Sequence, residues 1–85
     1  MMNNNESLKK QIIYRSQHRG SKEMDLLLGN FVKKNINFLN DSELKDLNNL
    51  IQTDDEIIKN WYFNQSNNKS IPKNKITDML KKFEF

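Results

Sequence analysis

No cysteine and no alanine occur among these 85 residues; histidine and proline each occur once, and glycine and arginine twice. Without cysteine there is no disulfide framework, thiolate zinc site, iron–sulfur cluster or cysteine nucleophile. One histidine, His18, is too few for a multi-histidine metal site. No apolar run approaches the roughly 18–20 residues that span a bilayer. Residues 1–6 lack both the apolar centre of a secretory signal and the arginines of a transit peptide. The length fits one domain and excludes a two-domain enzyme built around a deep cleft. These absences point to a small intracellular protein with no membrane role.

Fourteen asparagines and twelve lysines dominate the composition, with a net charge of +3 and a mean hydropathy of −0.90. Leu, Ile, Val and Phe nevertheless make up 23 of the 85 residues, more than disordered chains usually carry. Asn is a poor interior helix residue, so helices in this chain must be held by packing rather than propensity. The expectation is a folded domain stabilised by only a few kcal/mol, as is usual at this size.

Apolar spacing is helical almost throughout. Met24, Leu27, Leu28 and Phe31 follow i, i+3, i+4, i+7, and the stripe runs on through Val32, Ile36 and Leu39. Leu44, Leu47, Leu50 and Ile51 form a second stripe, Ile57, Ile58, Trp61 and Tyr62 a third, and Ile76, Met79, Leu80 and Phe83 a fourth. This predicts an all-α bundle of about five short helices, with residues 1–5 disordered and 6–85 one domain. Asn40 with Glu43, and Thr53 with Glu56, have capping-box spacing. Gly20-Ser21 separates a first helix over 6–18 from a second that carries Glu23 and Asp25 early and Lys33 and Lys34 late, as the helix dipole favours. Residues 64–70 read as a polar loop, and Pro72 as lying near the start of the last helix. Trp61 and Tyr62 read as core; Lys33-Lys34 and Lys81-Lys82 read as solvated faces.

The first helix breaks its own pattern. Leu8 and Ile12 start a stripe whose next positions are Arg15 and Arg19, the only two arginines in a chain that otherwise uses lysine. A guanidinium is a planar fork of donors that grips a carboxylate with two bonds, whereas an ammonium is a hydrated point charge. Tyr14 and His18 lie on the adjoining arc, Gly20 removes a side chain just beyond, and Glu23 and Asp25 bring carboxylates to the next helix. One reading is structural. Gly20 is then a left-handed helix terminus, and the arginines lie over the core edge and pair with Glu23 or Asp25. An exposed pair of that kind contributes only ~0–1 kcal/mol. The other reading is a docking surface, and the residues alone leave both open.

The run from Tyr14 to Phe31, Tyr-Arg-Ser-Gln-His-Arg-Gly-Ser-Lys-Glu-Met-Asp-Leu-Leu-Leu-Gly-Asn-Phe, closely resembles the signature of the SdhE family. These are small flavinylation factors of succinate dehydrogenase, also called succinate dehydrogenase assembly factor 2. Arg19, Gly20 and Glu23 match the family's RGxxE motif, and Asp25 matches the acidic residue that commonly follows it. Asp54-Asp55 and Asn60-Trp61 resemble a second family landmark. The resemblance covers residues 6–83. There are two departures: His18 stands where many members have arginine, and Gln65-Ser66-Asn67-Asn68 stands where many have a glycine-containing loop.

The resemblance implies an assembly factor without its own catalytic site. It would bind the flavoprotein subunit of succinate dehydrogenase, and in some members fumarate reductase, and promote covalent attachment of FAD to a histidine there. FAD is then the client's cofactor, and this chain binds none tightly and no metal. Arg19, Gly20, Glu23 and Asp25 would meet the client, with Tyr14, Arg15 and His18 extending the patch; Glu23 and Asp25 would accept from the client or fix Arg19. Desolvated interfacial charge pairs can contribute several kcal/mol. Free protein is expected as a monomer, in a bacterial cytoplasm or, for a eukaryotic source, the mitochondrial matrix. The alternative is an antitoxin-like or small basic nucleic-acid-binding regulator, for which a pI near 9.2 is permissive. Against it, the lysines are dispersed and no helix has a concentrated recognition face.

Overall fold

A computed structural model of the chain describes residues 4–64 and 69–84. Five α-helices follow in order: α1 (Asn4–Gln17), α2 (Lys22–Asn35), α3 (Asp41–Ile51), α4 (Asp55–Phe63) and α5 (Lys75–Lys82), with a 3-10 turn at Ile36–Phe38 between α2 and α3. No strand occurs among the described residues, so the chain is all-α. None of the described helices is long and apolar enough to cross a membrane.

The apolar stripes become one core. Met24, Leu27, Leu28, Phe31 and Val32 of α2 meet Leu44, Leu47, Leu50 and Ile51 of α3, Ile58 and Trp61 of α4, and Ile76 and Leu80 of α5. Each such aliphatic side chain contributes about 1.5–3 kcal/mol relative to exposure. α1 packs against α2 and α3, and α3 packs against α5. On α1 the buried row is Ile12 and Ser16, both fully buried, and not the row leading to Arg15. Ser16 donates its hydroxyl to the Ile13 carbonyl (2.8 Å), which satisfies it without a partner across the core. It faces Gly29 of α2, where an added Cβ would lie 3.7 Å from the Ser16 carbonyl oxygen. The two helices are thus in contact at 16 and 29, with room left for a Cβ at Gly29.

Helix starts are set by local hydrogen bonds. At α3 the reciprocal box forms as its spacing predicts: Asn40 Oδ1 accepts from the Glu43 N–H (2.8 Å) and Glu43 Oε1 from the Asn40 N–H (2.9 Å). At α4 the box expected from Thr53 and Glu56 is replaced. Asp54 is the N-cap, accepting from the Glu56 N–H (3.1 Å), while the Thr53 hydroxyl turns back to the Asn49 carbonyl (3.3 Å). α1 starts at Asn4, so the helix takes in two positions assigned by sequence to a disordered terminus; asparagine's weak propensity costs only a few tenths of a kcal/mol per residue there. The rest of that terminus, residues 1–3, lies outside the described residues, as does 65–68 of the polar loop.

Pro72 lies near the start of α5, as expected, a few residues before Lys75. Asn74 caps that helix in a box with Thr77, and the Pro72 carbonyl accepts from the buried Thr77 hydroxyl (2.9 Å). Trp61 and Tyr62 pack inward as expected. Of the terminal lysines, Lys81 is more than solvated: it donates to the Trp61 carbonyl (3.0 Å) and lies 4.4 Å from the Trp61 ring centroid.

Candidate functional site

The turn between α1 and α2 lies against the turn between α3 and α4, and Arg19 joins them. Its Nε donates to Asp55 Oδ1 (2.7 Å), its Nη1 to the Ile51 carbonyl (2.5 Å) and its Nη2 to the Thr53 carbonyl (3.0 Å). Nη2 also lies 2.5 Å from Asp55 Oδ1, and the side chain is only 10% exposed. The Ile51 carbonyl ends α3, where unpaired oxygens concentrate partial negative charge, and the Thr53 carbonyl lies in the turn just beyond. Asp55 is in the first turn of α4, the end that favours an anion. One planar cation therefore closes α3 and secures the start of α4, which explains why lysine does not serve at position 19.

Backbone bonds complete the corner. Asp25, in the first turn of α2, accepts the Arg19 N–H at its Oδ1 (2.6 Å). Asp55 Oδ2 accepts the Gly20 N–H (2.8 Å), so both oxygens of Asp55 are engaged by consecutive residues. A Cβ at Gly20 would fall 3.2 Å from Asp55 Oδ2, and the φ of Gly20 is outside the left-handed region. A side chain here would crowd the pinned carboxylate, which would have to give by a few tenths of an ångström. Gly20 is not a left-handed helix terminus.

These bonds correct the expected pairing. Arg19 takes Asp55, not Glu23, and its fork is spent inside the chain rather than offered outward. Of the two open roles for Asp25, fixing Arg19 is the one the geometry shows. Glu23 stays exposed and faces Lys59 of α4 at 3.7 Å. Asp55 itself was visible only as half of an acidic pair opening a helix. Its link to position 19 spans 36 residues, and no local spacing reveals that.

Around the fixed corner lies an exposed rim. Tyr14 is 63% exposed, and its ring stacks on that of His18 with centroids 4.0 Å apart and planes 19° apart. His18 Nδ1 lies 2.7 Å from the Tyr14 carbonyl oxygen. A carbonyl only accepts, so Nδ1 carries the proton and Nε2 is the free nitrogen. Arg15 is exposed and donates from Nη1 to Asn48 Oδ1 of α3 (3.1 Å). Tyr14, Arg15, His18, Gly20 and Glu23 thus remain available to another molecule, on a base fixed by Arg19, Asp25 and Asp55. Among the described residues no group of three or more His, Asp or Glu is placed to hold a metal ion.

Residues 10–84 match the family described as "Flavinator of succinate dehydrogenase". A protein of Dictyostelium discoideum named succinate dehydrogenase assembly factor 2, mitochondrial, is 41% identical over 76 residues, covering 89% of this chain and 52% of that protein. One from Acetobacter pasteurianus named FAD assembly factor SdhE is 31% identical over 74 residues, covering 87% of this chain and 65% of that protein. A Meyerozyma guilliermondii protein, also named succinate dehydrogenase assembly factor 2, mitochondrial, is 39% identical over 56 residues, covering 66% of this chain and 42% of it. The chain therefore spans about two fifths to two thirds of these relatives' lengths. No solved structure matches it.

Proposed function

This chain belongs to the family of flavinators of succinate dehydrogenase, and from that premise we propose that it docks on the flavoprotein subunit of that enzyme and promotes covalent attachment of FAD there. The observation that carries the reading is the corner of α1, α2 and α4. Its hydrogen bonds fix the backbone at Arg19 and Gly20, while the side chains of Tyr14, Arg15, His18 and Glu23 beside it stay exposed. A surface ordered in advance loses little entropy on binding. Fumarate reductase is a second client of the same kind.

The covalent bond forms within the client, between its flavin and its histidine. This chain has no turnover and keeps no flavin of its own; it holds the client so that the two reacting groups stay in attack geometry. Gly20 lets a client backbone approach, and Glu23 and the rim of Tyr14, Arg15 and His18 supply the polar contacts. The protein acts as a monomer wherever the flavoprotein is assembled, in a bacterial cytoplasm or a mitochondrial matrix.

The test mixes the purified protein with apo-flavoprotein subunit and FAD and follows acid-stable flavin fluorescence. A gain in covalent flavin over the subunit alone is expected, and no gain overturns the reading. Glu23→Ala is expected to keep its helical circular dichroism while the gain falls; loss of the helical signal would make position 23 a folding residue. A salt-sensitive shift of duplex DNA instead would favour the nucleic-acid alternative.

A further inference from the structure

The two arginines differ in one respect that bears on what docks. Arg19 is neutralised by Asp55 (2.5 Å). Arg15 has no carboxylate partner among the described residues, and its one side-chain bond is to the neutral amide oxygen of Asn48 (3.1 Å). An amide oxygen can orient a guanidinium without cancelling its charge, and four of the five N–H donors of Arg15 are left over. The same concave face, about 470 Å³, is lined by Lys10, Gln11, Tyr14 and Arg15. It holds two cations beside an exposed aromatic ring and no acid. His18, stacked on Tyr14 with Nδ1 committed to a carbonyl, extends it.

From this we propose that Arg15, aimed by Asn48, is the cation that receives a carboxylate of the client, so the client segment docking along the outer face of α1 is acidic. The proposal rests on the docking role above and names the chemistry of its partner. Asn48 is a positioning residue: it belongs to α3, touches no partner, and fixes the fork of Arg15 while leaving it charged. Aspartate in its place would hold the fork as well and cancel the charge.

The experiment measures the affinity of the full chain for apo-flavoprotein subunit of succinate dehydrogenase by titration calorimetry at low and high salt. Thermal unfolding of each variant is recorded alongside. Arg15→Gln is expected to weaken binding about tenfold and to flatten its salt dependence, because a charge pair is lost. Asn48→Asp is the decisive variant. Its melting temperature is expected to stay the same or rise, since a carboxylate now faces Arg15, while binding falls as far as in Arg15→Gln. A purely structural role for the pair predicts unchanged binding in Asn48→Asp. If both variants bind like wild type, the carboxylate assignment is overturned and the docking role stands. If wild type itself does not bind, both fall.

Discussion

Arg19 engages three acceptors at the α3–α4 junction, and every one lies more than thirty residues away in the chain. Lysine in its place would keep a positive charge but could not reach Asp55 and both carbonyls together. Arg19→Lys is therefore expected to cost about 2–3 kcal/mol, the range for a buried acceptor losing a charged donor. Against a total stability of about 4–13 kcal/mol for a chain of this length, that is a large share, and urea titration will show it as a lower midpoint. Arg15 is expected to behave oppositely, with little change in midpoint when it becomes Gln. The sequence singled out both arginines, since guanidiniums are rare in a lysine-rich chain. It could not tell them apart, because Asp55 and Asn48 reach positions 19 and 15 only through the fold.

Signals confined to a few residues of one element were legible; those depending on a neighbouring element were not. The Asn40–Glu43 box is closed by bonds across three residues, and spacing alone located it. At the start of α4 Asp54 caps in place of Thr53, whose hydroxyl turns back to the Asn49 carbonyl and whose own carbonyl meets Arg19. The buried row of α1 passes through Ser16, whose carbonyl lies against Gly29 of α2, a contact that α1 alone does not disclose. Glu43 also serves between elements. Its Oε2 meets Lys75 Nζ at the start of α5 (2.8 Å), offsetting a cation placed at the unfavourable end of that helix. The hydrogen bond from Lys75, and then that from the Asn40 N–H, hold the Glu43 carboxyl below its ordinary value of 4.5. A group whose pKa is lower folded than unfolded stabilises fully above the unfolded value and loses that contribution as pH falls through the folded one. Glu43→Gln keeps an acceptor for the Asn40 N–H but has no charge to titrate. The stability gap between wild type and Glu43→Gln should be constant near neutrality and close as pH drops below 4.5, measured by urea titration at each pH. A gap that persists in acid would show that Glu43 acts through geometry alone.

At the scale of the molecule, the helices are not held equally. α1, α2, α3 and α5 are joined by extensive helix-to-helix packing, whereas α4 is not part of any such pair. It is secured at its first turn by Asp55 on Arg19 and Gly20. Along its length it is held by Ile58 and Trp61 in the core, and near its end by Lys81 on the Trp61 carbonyl and the Tyr62 hydroxyl on the Phe83 carbonyl. The corner that displays the docking rim is thus also the anchor of the least-packed helix, so weakening it should loosen α4 before the rest. Trp61 is the only tryptophan and is 8% exposed, so its fluorescence reports α4, whereas far-ultraviolet circular dichroism reports all five helices. In wild type the two probes should give one urea transition, as a domain with a single continuous core does. In Arg19→Lys the fluorescence midpoint should fall below that of circular dichroism, because α4 has lost its first-turn anchor while the α1–α2–α3–α5 packing is untouched. Coincident midpoints in the variant would mean that Ile58 and Trp61 alone bind α4 to the core, and that Arg19 stabilises the domain as a whole rather than the helix it touches.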